Sequence, residues 1–248
     1  MTYRLLAFGV GVTLLAAAAA TPVAAGDFVD TSPGMQWGGF YVGGQLGGAW
    51  SETDWHNENH NWFNTLGPTQ VISNFDIDGS GIMGGGQLGF NYQTGAWVFG
   101  IEGSVAGTEL DGSIRSPFFP ASDRYSMDVS WLTTVTGRVG YAWDRWLAYA
   151  KGGWAGADIE LDLFDRGTPV HAKSSTWADG YTLGGGAEYA FGHGFSLGVE
   201  YAYVDLGTDR FTVRCSTCPP GVGGGVPIVD GDIEIQSVTG RVNYRFGQ

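Results

Sequence analysis

Beyond its first 25 residues the chain contains no run of 18 apolar residues, which excludes a protein that crosses a membrane on helices. What remains is a secreted soluble domain or a β-barrel, the other fold that satisfies its own backbone in lipid. Bases are also scarce, 12 Lys+Arg against 25 Asp+Glu, for a formal net charge of −13. That deficit argues against nucleic acid, whose affinity is drawn from cationic contacts to phosphate. There is no D-x-D-x-D-G calcium loop, and the runs Gly84-Gly85-Gly86 and Gly184-Gly185-Gly186 sit inside strand patterns with no helix to follow, so they are not phosphate loops. Cysteine occurs only as Cys215 and Cys218.

Glycine, in contrast, is abundant at 43 of 248 residues, and it interleaves with aromatics, which disordered glycine tracts lack. Residues 1–25 carry Arg4, an apolar run from Leu5 to Ala20, and small residues at Val23-Ala24-Ala25. This reads as a secretory signal peptide, with the mature chain starting near Gly26. Residues 26–36 lack periodicity and form a flexible lead, and residues 37–248 make one domain.

The final stretch, DIEIQSVTGRVNYRF, changes sides at every residue. Val238, Gly240, Val242, Tyr244 and Phe246 share one face, and Arg241, Asn243 and Arg245 share the other. An apolar face backed by arginines suits a strand with lipid outside and a polar lumen inside. Seven more segments alternate similarly: 37–50, 80–93, 96–107, 128–142, 146–157, 179–191 and 195–207. In the fourth of these, Val129, Trp131, Val135, Val139 and Tyr141 are expected to face outward together. Thr94-Gly95, Asp144-Arg145 and Gly192-His193-Gly194 are tight turns, whereas 51–79, 108–127, 158–177 and 208–231 read as long loops.

Eight strands, with connections that alternate between long and short, predict an all-β, antiparallel, up-and-down transmembrane barrel with short periplasmic turns and four long outer loops. Aromatics beside the turns, with Trp37 and Phe246 at the chain ends, form one interfacial girdle. Trp50, Trp131, Trp154 and Tyr181 sit near the other.

Four pieces resemble the small outer-membrane immunogenic proteins of Gram-negative bacteria, eight-stranded barrels of the OmpA/OmpX-like porin-family type: WGGFYVGGQLGGAW, GGGQLGFNYQTGAWVFGIEGS, GVEYAYVDLG and GRVNYRF. Together they span residues 37–246. The resemblance implies a surface antigen in the outer membrane, among lipid and lipopolysaccharide, exported through the periplasm. It also implies delivery by the outer-membrane assembly machinery through a C-terminal strand ending in Phe246, although Gly247 and Gln248 follow where the family usually stops. It supplies no catalytic residues and implies roles in envelope integrity and host or surface contact, with haem binding suggested for some members.

Candidate chemistry is sparse. Glu102, Glu188 and Glu200 point inward with Arg138, Lys151, Arg241 and Arg245, which suits either a salt-bridge plug or a narrow diffusion pore. Trp55-His56-Asn57-Glu58-Asn59-His60-Asn61-Trp62 brings two histidines four apart, a spacing that converges only on a helix. The bland reading is a solvated loop; the sharper one is a haem or small-solute receptor. The cysteine pair has neither the two further ligands of a zinc site nor the βαβ context of a thioredoxin. In an oxidising envelope Cys215 and Cys218 are expected to form a small loop disulfide. Nineteen of the 25 acids fall in or beside the loops, which makes one end strongly negative. A rim hydrolase would need His56, His60 or His171 as base, and no nucleophile lies beside them in sequence. The chain is therefore expected to be a non-enzymatic envelope barrel without cofactor or metal.

Overall fold

In the computed structural model the described residues are 36–57, 74–76, 78–115, 123–165, 170–212, 214–215 and 228–247. Their period-two patterns become eight long strands: β1 (Gly39–Asn57), β2 (Gly79–Thr94), β3 (Trp97–Arg115), β4 (Asp123–Trp143), β5 (Trp146–Asp165), β6 (Val170–Gly192), β7 (Phe195–Thr212) and β8 (Ile228–Arg245). Each pairs antiparallel with the next. Tyr41 opposite Arg245, and every residue from there to Asn57 opposite Val229, joins β1 to β8. The sheet thus closes on itself as a barrel. Two short ribbons, Asn74–Asp76 and Arg214–Cys215, add to β1 and β6.

Alternation decides what each strand shows. Leu46, Leu88, Ile101, Val135, Leu183, Val199 and Val242 face outward and are exposed, Leu46 by 69%. Aromatics border this belt on both sides. Tyr92, Trp97, Tyr141, Trp146, Phe195 and Tyr244 lie beside the turns, and Trp50, Trp131, Trp154, Trp177 and Tyr181 lie toward the loops. Many touch across strands, as Trp97 does Tyr141 at 5.5 Å between centroids. So large an unbroken apolar exterior has no place in water and matches a bilayer.

The strands run well past that belt. Sixteen residues in β2 and 23 in β6 exceed the roughly 9–11 that cross a bilayer. Much of what the sequence suggested as loop is barrel wall, so the second and third connections shrink to residues 116–122 and 166–169. Beyond the lipid belt the outward positions turn polar, and the strand pattern no longer looks like a membrane strand.

Three details depart from the sequence expectations. Val129 is buried because pairing slips between Val129 and Trp131, a β-bulge that moves the residues before it onto the opposite face. The first turn is Gly95-Ala96, with Gly95 at φ +57°. Trp37 is not in the girdle. Gly39, at φ +112°, turns the chain off the wall so that the indole is fully buried.

Candidate functional site

The inward face holds three layers. At the turn end Trp37, Val98, Ala142, Leu147, Tyr149 and Ala190 pack together. At the loop end lies a larger apolar cluster that includes Met83, Leu110, Met127, Val129, Leu132, Ile159, Leu206 and Ile233. Between them sit all seven inward charges named from sequence, each buried. The sequence left either a salt-bridge plug or a narrow diffusion pore in a polar lumen. Two apolar layers flank the charged one.

Six of the seven charges form one network. Lys151 Nζ lies 3.1 Å from Glu102 Oε1 and 2.6 Å from Glu200 Oε1. Arg241 reaches the same two carboxylates from the other side, Nη2 to Glu102 and Nη1 to Glu200. Two bases and two acids thereby form a square. Tyrosines complete it: Tyr41 donates to Glu102 Oε2 at 2.7 Å, and Tyr149 donates to Glu200 Oε2 at 2.7 Å. Arg138 joins the square to a second pole. Its Nη1 is 3.7 Å from Glu102 and 3.3 Å from Glu188, its Nε donates to Asn91 at 2.9 Å, and its carbon lies 4.7 and 5.0 Å from the Tyr41 and Tyr149 ring centres. Glu188 also accepts from Ser196 at 3.0 Å and Asn243 at 3.1 Å. Buried charges persist when their remaining hydrogen-bonding positions are also met, and these partners meet them except at Arg241 Nε, which has no protein acceptor.

Glycines in the wall make the room. A Cβ at Gly89 would fall 2.4 Å from Tyr41, and one at Gly198 would fall 2.7 Å from Glu188 Cγ. The bulky polar side chains therefore lie flat over bare backbone. Arg245 stands apart from the square, stacked with its carbon 4.0 Å from the Trp37 ring centre. Trp37 is held in turn by its carbonyl, which accepts from Asn91 at 3.0 Å, and by its N–H, which donates to Gln93.

Chemically, six of the seven charges are engaged with one another, and apolar layers lie on either side of them. Among the described residues no three His, Cys, Asp or Glu side chains gather to hold a metal. The side chains of His56 and His171, all of His60, and the Cys215–Cys218 pairing lie outside the described residues.

Residues 11–246 match the family described as outer membrane protein beta-barrel domain. The chain belongs to that family. This outer-membrane barrel is 32% identical over 209 residues to the 31 kDa outer-membrane immunogenic protein of Brucella melitensis, covering 78% of the chain and 85% of the relative. It is 27% identical over 173 residues to a 22 kDa outer membrane protein of Rhizobium leguminosarum, covering 70% and 66%. Among solved structures it resembles the OprG outer-membrane protein of Pseudomonas aeruginosa (TM-score 0.50, 12% identity, 86% and 98% covered). It also resembles the outer-membrane protease OmpT of Escherichia coli (TM-score 0.51, 8% identity, 84% and 97% covered). At such identities these likenesses show the fold alone. The barrel resides in the outer membrane.

Tyr41, Tyr149, Asn91 and Asn243 were not singled out from sequence as network members. The available signal was parity, since Tyr41 and Asn91 share a face with inward residues, but partners across a lumen depend on stagger between strands that no single strand reveals.

Proposed function

We propose that this barrel is a closed, non-enzymatic surface protein that contributes to envelope integrity and presents acidic outer loops for surface and host contact. The observation that carries this reading is the lumen: a neutralised charge square, its two acids and two bases engaged with one another, between two apolar layers. The immunogenic character named for the Brucella relative supports exposure of the loop end. So does the outer wall near that end, where Glu52 pairs opposite Glu234 and Glu234 opposite Asp205. Like charges directly across strands are unfavourable unless solvated, which favours a water-facing rim above lipid and lipopolysaccharide.

The same proposal includes the route: export on a cleaved signal peptide at 1–25, then insertion through the strand that ends at Phe246, short turns toward the periplasm. The test is a deletion strain measured for detergent sensitivity, solute uptake and surface adhesion together. Increased detergent sensitivity or reduced adhesion with unchanged uptake is expected. A selective uptake defect would overturn the reading in favour of a pore or receptor.

A further inference from the structure

Arg245 is the one inward base without an ion pair among the described residues. Four bases against three acids leave the layer with one positive charge, and Arg245 is where that charge is not answered. Its side chain is 2% exposed, and its Nε and Nη2 have no protein acceptor. Those two nitrogens form a single edge of the guanidinium, with parallel N–H bonds spaced to meet two oxygens at once. In the layer beneath it, the fully buried Trp37 ring presents a third donor, Nε1, also without an acceptor. Buried donors left unmet each cost about 1–3 kcal/mol, more for a charged group. Of the six buried side-chain atoms without a partner among the described residues, three fall in these two stacked side chains.

We propose that the turn end of the lumen holds a small carboxylate of formate or acetate size, bound bidentate on the Nε/Nη2 edge of Arg245 over Trp37. The fork selects two oxygens in a plane. The charge selects a monovalent anion, which brings the layer to neutrality. Burial limits the ligand to a few atoms, and Trp37, fixed by its bonds to Asn91 and Gln93, lies against the guanidinium face. The site is independent of what the loops contact, so it stands whether or not the surface reading does.

The test is thermal unfolding of the full refolded barrel in detergent, with sodium formate compared with sodium gluconate at equal ionic strength. Gluconate has the same carboxylate on a body too large for a buried site. The midpoint is expected to rise steadily with formate and stay flat in gluconate. Arg245→Lys, which keeps the charge and removes the fork, is expected to lose the formate response. Crystals of the wild-type barrel grown in formate provide the direct check should that variant not fold, with a planar three-atom density bonded to Nε and Nη2. Equal midpoints in the two salts, a formate response kept by Arg245→Lys, or a lone water at the fork would overturn the proposal.

Discussion

Replacing Arg241 by Met separates a packed lumen from a wet one. The side chain is 0% exposed and bonds both Glu102 and Glu200. Its loss leaves two buried carboxylates sharing Lys151. Removing one partner from a buried ion pair costs about 3–5 kcal/mol, because the remaining charge stays desolvated. With a urea dependence of ~1–3 kcal/mol per molar, the unfolding midpoint of the refolded barrel should fall by roughly 1–5 M. Adding Glu200→Gln removes one of the stranded charges and should recover about 1–3 kcal/mol, well outside additivity. A water-filled lumen would screen the pair, and such pairs are worth about 0–1 kcal/mol. A single-variant cost below about 1 kcal/mol, with an additive double variant, would refute the packed-lumen reasoning.

Other substitutions test other parts of the barrel. Gly89→Ala puts a Cβ 2.4 Å from the Tyr41 ring, so overpacking of about 1–3 kcal/mol is expected in the same urea assay. Gly95→Ala meets nothing within 4 Å but must hold φ +57°, so only a backbone cost of about 1–2 kcal/mol should appear. Leu46→Arg, on the lipid belt between Phe40 and Trp50, should destabilise the barrel in lipid vesicles by about 2–4 kcal/mol. Trp37→Ala opens the turn end and removes the ring under Arg245, and a loss of about 3–5 kcal/mol is expected.

Strand faces were legible wherever lipid lies on one side and a lumen on the other, since Val238, Val242 and Tyr244 against Arg241 and Arg245 leave no second assignment. Past the belt that contrast reverses. Ser51 and Thr53, the latter 3.9 Å from Met127 Sδ, face inward while Glu52 and Asp54 face water, a pattern that looks like loop until the barrel is closed. The Val129 face was misassigned because a bulge shifts parity without a mark in composition. Trp37 was placed in the girdle because aromatics near a chain end usually mark an interface, and only the backbone at Gly39 turns it inward. The inward charges could be named from parity, but not which acid meets which base, because Glu102 on β3 reaches Arg241 on β8 across the lumen.

The most direct test of the account is the current through a planar bilayer containing the purified, refolded barrel. With both ends of the lumen packed and its charge square neutralised, a silent bilayer with no resolved openings is expected. A stable ohmic conductance that changes on Arg138→Ala would contradict it.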